Sequence, residues 1–223
     1  MIVVIGSPIG RIADGAIAAG GPASRVALAA AAAGRDVQLV GRTGDDPTAE
    51  AVVLDLARGG VGHVALLRDG ARVTTLEPRP PADLEPDDLE PDEVDGSGED
   101  GETAEPAAVP PLDAADVDLG LRYLTDFAVV VLAEPAGPDV VCVAVDAARW
   151  ADARLILVVA AGGTVPDDAP GDAVVFEAPA SDPDGVFAAL VGGFAAALDD
   201  GADPEAAFRA SVASDGWSEA VRD

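Results

Sequence analysis

The chain has 223 residues, with 41 acidic residues against 13 basic ones and a formal net charge of -28. All 13 basic residues are arginine, and a surface of this sign repels phosphate backbones and anionic headgroups, which disfavours nucleic-acid and membrane-surface roles. The single Cys142 excludes a disulfide framework, and no apolar run reaches the roughly 18 residues of a membrane span.

The chain opens on an apolar run, Met1 to Ile5, closed by Gly6, Ser7 and Pro8, which predicts a buried strand. Residues 22 to 33 (PASRVALAAAAA) have Pro at the start and Gly34 after the end, the pattern of a helix with a C-terminal glycine. Val37 to Val40 follows as a strand, and Glu50 to Arg58 as a helix ended by Gly59 and Gly60. Val64 to Leu67 and Arg72 to Leu76 then read as a hairpin across Asp69-Gly70. Residues 83 to 106 hold 12 acidic residues and no basic ones, with Pro and Gly interleaved, so they read as a disordered, solvated insertion. Without them the chain still carries about -16, so the acidity belongs to the folded part as well.

After this insertion, Ala114 to Leu124 predicts a helix and Phe127 to Leu132 a strand. Residues 138 to 150 contain VVCVAV, a strand by propensity. Val140, Val141, Ala144, Val145 and Ala148 nevertheless fall at helical spacing, and a crossover is needed before the strand Leu155 to Val159, so a helix is expected. A short strand, Ala173 to Phe176, precedes two closing helices, Val186 to Leu198 and Pro204 to Ala213, each led by an Asp placed to cap it; Asp184 serves the first. Alternating strands and helices imply an α/β fold with a mostly parallel central sheet covered on both faces.

Hydrophobic residues make up 49% of the chain, but 47 of them are Ala, so the core must come from Val, Leu and Ile. Abundant carboxylates without lysine match adaptation to molar internal salt, because at about 1 M the Debye length shrinks to roughly 3 Å and self-repulsion is screened. No basic n-region with an apolar stretch and cleavage site is read at the start, so no secretory leader is expected. The expected location is the cytoplasm of a salt-adapted cell.

Three segments carry a resemblance. Residues 20 to 46 run from Gly20-Gly21 through Gly34 to Gly44-Asp45-Asp46; residues 182 to 201 read DPDGVFAALVGGFAAALDDG; and Phe127 to Pro135 (FAVVVLAEP) forms a strand and turn. Together these stretches resemble the ribokinase-like (pfkB) carbohydrate kinase family. The resemblance implies a three-layer α/β/α core spanning residues 1–223, with Gly20, Gly21 and Arg25 on the sugar side. It also implies an anion hole opening the helix after Asp182, where a catalytic Asp normally ends the motif.

Set on that motif, Gly185 falls on its first glycine, Val186 on its alanine, Phe187 on its second glycine and Ala188 on the catalytic Asp. Phosphoryl transfer needs a base for the acceptor hydroxyl and fixed positive potential for the phosphates. Here the base is absent, and a phenyl side chain at 187 is expected to block the phosphate approach. Only about 14 residues separate the first strand from Gly20, too few for the family's β lid. Glu177, Ala178, Pro179 and Ala180 replace its Asn-x-x-Glu magnesium-side motif.

The expectation is therefore a lid-less pseudokinase that binds a sugar or nucleoside ligand or a protein partner. It needs no cofactor or metal, and is a monomer or a dimer formed without a lid. Two alternatives stand beside it. One is a divergent ATP- and Mg-dependent kinase with Asp182 or Asp184 as a displaced base. The other is a dinucleotide-binding unit with Arg42 near a 2'-phosphate, although Gly6-Ser-Pro-Ile-Gly10 departs from its fingerprint. Gly44-Asp45-Asp46 reads as turn chemistry, His63 as exposed, Cys142 as a buried small hydrophobe, and Trp150 and Trp217 as packing anchors.

Overall fold

Continuous apolar strands with no polar alternation cannot face water on either side, so a sheet built from them must be covered twice. In the computed structural model, which describes residues 1–77, 112–165 and 169–213, β1 (Ile2–Ile5) is fully buried and lies in register between β4 (Val37–Gly44) and β7 (Val129–Leu132). The sheet runs β5 (Val61–Gly62), β4, β1, β7, β8 (Arg154–Val159), β9 (Val174–Glu177). β6 (Leu66–Asp69) pairs with the far half of β4, and every pairing is parallel. The acidic insertion at 83–106 and Trp217 lie outside the described residues.

Helices α1 (Gly21–Ala32), α2 (Pro47–Arg58), α5 (Val186–Asp199) and α6 (Pro204–Ala213) cover one face, packing on Ile2 and Val4. α3 (Ala114–Leu121) and α4 (Pro138–Ala151) cover the other, on Val3 and Ile5. The α/β/α layering is as expected, and α4 is the helix that its periodicity required. α1 and α5 approach closely because their contact is made of small residues: a Cβ at Gly192 would lie 2.6 Å from the Ala29 Cβ and 2.7 Å from the Val26 carbonyl oxygen. Both helices start at the edge where the parallel strands end.

One element goes beyond the expected set, and one local expectation is corrected. The interval between β1 and α1 holds an antiparallel hairpin, β2 (Ile9–Ala13) with β3 (Ala16–Gly20). Its two-residue turn, Asp14-Gly15, has positive φ at both positions (51° and 74°), the geometry that matches strand twist. The hairpin expected across Asp69-Gly70 does not form. There the Arg72 N–H bonds to the Asp69 carbonyl and the Asp69 side chain bonds to the Ala71 N–H. Gly70 is not among the positive-φ glycines, and the chain leaves β6 without folding back on it. It runs instead beside β2, where Gly10 donates to the Thr75 carbonyl and Glu77 donates to the Gly10 carbonyl. This placement brings Glu77 to the start of α1.

Candidate functional site

In an open parallel sheet the ligand crevice lies beyond the carboxyl ends of the strands, where successive connections diverge. Here the chain leaves β1 towards β4 and later returns to β7 on the other side of β1. The residues at that divergence are Gly6, Ser7 and Glu134. Glu134 is half-buried and accepts the Ser7 N–H at 3.0 Å. Burial pushes its carboxyl above the ordinary range, against hydrogen bonds from the Ser7 hydroxyl and N–H. A Cβ at Gly6 would meet the Ala23 Cβ at 2.5 Å and the Glu134 carboxyl carbon at 3.3 Å, so glycine is what lets β1, α1 and Glu134 converge. Sequence reasoning assigned Glu134 no role; the available signal was a lone acid just past a continuous apolar strand.

Gly20, Gly21 and Arg25 come together as expected, but they already have a partner. Gly21, at φ +79°, donates its N–H to Glu77 Oε1 at 2.7 Å. Arg25 Nη2 donates to both oxygens of Glu77, at 3.1 and 2.9 Å, while Nη1 donates to the carbonyls of Asp182 and Pro183, at 2.6 and 2.9 Å. These residues line an open cleft of about 570 Å³ together with Pro22 and Ser181. Arg25 therefore ties the start of α1 to the turn before α5.

That turn contains the predicted anion-hole region. Asp182 and Gly185 close it through a bond from the Gly185 N–H to the Asp182 carbonyl, and Gly185 takes the left-handed conformation at φ +72°. The Asp182 carboxylate then reaches over the start of α5, accepting the Phe187 N–H at 3.1 Å and the Ala188 N–H at 3.0 Å. The helix is thus capped by Asp182 and not by the expected Asp184, which is exposed: the turn directs the carboxylate six residues ahead of Ala188 onto the unpaired N–H groups. Ala188 is 1% exposed and packs in the core. The Phe187 ring rests edge-on to Phe176 at 6.3 Å, so the group that meets the N–H donors is the Asp182 carboxylate and not the ring. Val186 begins the helix. Glu177 ends β9, and its carboxylate accepts the Gly162 N–H at 3.1 Å.

The other singled-out residues separate cleanly. Asp46 caps α2 through the Ala49 N–H (2.8 Å) and also accepts the Thr74 N–H (2.6 Å). Burial alone would raise its carboxyl, but these bonds outweigh it and hold the group below the ordinary range. Gly44-Asp45-Asp46 is therefore turn chemistry, with Asp45 paired to Arg68. Arg42 is clamped between Asp69 and the buried Asp116, and a hairpin stands where a dinucleotide site needs a tight turn into the helix; both features remove the dinucleotide reading. His63 is exposed as expected. Cys142 and Trp150 are corrected. Both are exposed, Trp150 at 76%, because α4 buries Val140, Ala144, Val145 and Ala148 and these two residues fall outside that stripe. Among the described residues no three potential metal ligands lie together.

Neither a scan of protein-family models nor a search of curated proteins finds a match. Solved structures do match. The chain is similar to a fructokinase from Vibrio cholerae O395 in apo form, at 16% identity and a TM-score of 0.60, covering 95% of this chain and 94% of that one. It is similar to Arabidopsis thaliana ribokinase complexed with ribose and ATP, at 14% identity and 0.59, covering 96% and 90%. It is also similar to aminoimidazole riboside kinase from Salmonella enterica complexed with aminoimidazole riboside and an ATP analog, at 13% and 0.59, covering 95% and 89%.

Proposed function

We propose that this chain, whose fold is ribokinase-like, is a catalytically degenerate sugar-kinase homologue that binds a sugar- or nucleoside-class ligand or a protein partner without transferring phosphate. The observation that carries the reading is the Asp182 carboxylate on the Phe187 and Ala188 N–H groups. Donors aimed at developing phosphate charge are useful only if they are free to meet it. The Asp182 carboxylate occupies them from within its own turn, so a phosphate could reach them only by undoing the cap of α5.

Ala188 supports the same reading, because a buried methyl group cannot take a proton from a hydroxyl. The residues present do not fit a magnesium nucleotide either. The chain has no lysine, the helix donors are taken, and Glu177 holds the Gly162 N–H. The sugar- or nucleoside-class ligand is drawn by analogy from the fold alone. The acid coat supports a salt-adapted cell under the same reading.

The test is incubation of the purified protein in concentrated KCl with Mg-ATP and a panel of sugars and nucleosides. No ADP should form, while thermal shifts with the same panel in the absence of nucleotide should reveal binding. Turnover abolished by Glu134→Gln or Asp184→Ala would instead establish a divergent kinase.

A further inference from the structure

The side-chain chemistry of the cleft beside α1 says more about what enters it. Arg25 is fixed from behind. Its Nη1 is held by two main-chain carbonyls, so the guanidinium plane is set in place and Nη2 faces the cleft. Both oxygens of one carboxylate sit on Nη2, and one of them also takes the Gly21 N–H. That carboxylate belongs to Glu77, which arrives from a neighbouring segment anchored by its own N–H on the Gly10 carbonyl. The pair remains open to the cleft, with side chains 20% and 25% exposed.

We propose that the Arg25 clamp receives a carboxylate of the ligand, and that Glu77 occupies the clamp in the free protein as the chain's own competitor. The inference rests on the reading of this cleft as a ligand site and names the class of ligand: a polyhydroxy acid and not a neutral sugar. Hydroxyl groups replacing Glu77 on Arg25 would exchange an ion pair, with both partners charged and both carboxylate oxygens engaged, for hydrogen bonds in which only the guanidinium is charged, so a neutral sugar competes poorly with Glu77. A carboxylate exchanges like for like. The released Glu77 side chain turns into water, where a lone carboxylate is well solvated.

The experiment is calorimetric titration, without nucleotide and in concentrated KCl, of D-gluconate and of D-glucose into the wild type and Glu77→Gln. Removing the competitor should tighten gluconate about tenfold and glucose by clearly less. Arg25→Lys in the Glu77→Gln background keeps the charge, loses the planar clamp and should abolish the gain. Glu77→Asp retracts the carboxylate by one methylene with its charge intact and should give a smaller gain, which supplies a second reading should the Gln variant fold poorly. Unchanged gluconate affinity in these variants, an equal gain for glucose, or no gluconate binding by any of them overturns the clamp. Phosphoryl transfer to gluconate in the separate Mg-ATP assay would overturn the degenerate reading while leaving the clamp supported, so the two failures are distinguishable.

Discussion

Asp182→Ala removes a carboxylate that accepts two N–H groups at the start of α5, and little else. The bonds that Arg25 and Gly185 make to residue 182 go to its main-chain carbonyl and survive the substitution. Loss of an N-cap costs about 0.5–2 kcal/mol, and loss of a negative charge from a helix N-terminus about 0.3–1 kcal/mol. With both effects, about 2 kcal/mol is expected, which at about 2–4 °C per kcal/mol for a domain of this size lowers the Tm by about 4–8 °C. Asp182→Asn keeps an acceptor and should lose less. The freed N–H groups should then bind inorganic phosphate, and the variant's Tm should rise with phosphate concentration by linkage. Phosphate salts also strengthen burial generally, so the informative quantity is the extra response of the variant over the wild type. An unchanged Tm, or identical phosphate responses, would show that this carboxylate is not what closes the end of the helix.

Four further outcomes follow from the packing and charges. Because burial holds the Glu134 carboxyl high, the folded chain keeps that proton to higher pH than the unfolded chain. Its contribution to stability therefore falls as pH rises above the ordinary carboxylate range, and Glu134→Gln should remove that fall from the denaturation midpoints. Gly192→Val forces a side chain into the contact between α1 and α5 and should cost about 3 kcal/mol by chemical denaturation. Gly193→Ala, whose added methyl meets nothing nearer than Ser211 Oγ at 3.8 Å, should be neutral or stabilising by about 0.5–1 kcal/mol. Finally, the Tm should climb steeply with KCl, and an equal Tm in dilute buffer and concentrated KCl would sink the proposed salt adaptation.

Strands β1, β7 and β8 were legible because fully buried parallel strands leave an unbroken apolar run, and α4 because its apolar period overrode its strand-like composition. The same period held an unused message: with Val140 and Ala144 buried, Cys142 lies across the helix from them and must be exposed. The Asp-Gly signal was real but sat at 14–15, where both residues reach positive φ, and not at 69–70. The site was harder for a physical reason. Glu77 meets Arg25 across 52 positions, and Arg25 meets residue 182 across 157. No local period or spacing encodes such pairings. They follow from where the crossovers deliver each loop, and a sequence reading that places every element correctly still leaves the partners of Arg25 and of the α5 N–H groups undetermined.

An anionic chain faces a particular difficulty at a cleft for an anionic ligand. Its positive potential is scarce, and most of it is already neutralised: Arg25 by Glu77, Arg35 by Asp199 and Asp200, Arg42 by Asp69 and Asp116. An incoming carboxylate therefore cannot add an ion pair to the cleft; it can only exchange with one. Exchange conserves the number of pairs, so salt screens the pair lost and the pair gained alike, and affinity should depend weakly on KCl wherever the fold is intact. In Glu77→Gln the exchange becomes an addition. The ligand then makes a new pair with Arg25, and its affinity should fall as KCl rises. A steeper salt slope in Glu77→Gln than in the wild type is thus expected from the clamp, independently of the absolute affinities. Parallel slopes would mean that Glu77 and the ligand never compete for the same guanidinium.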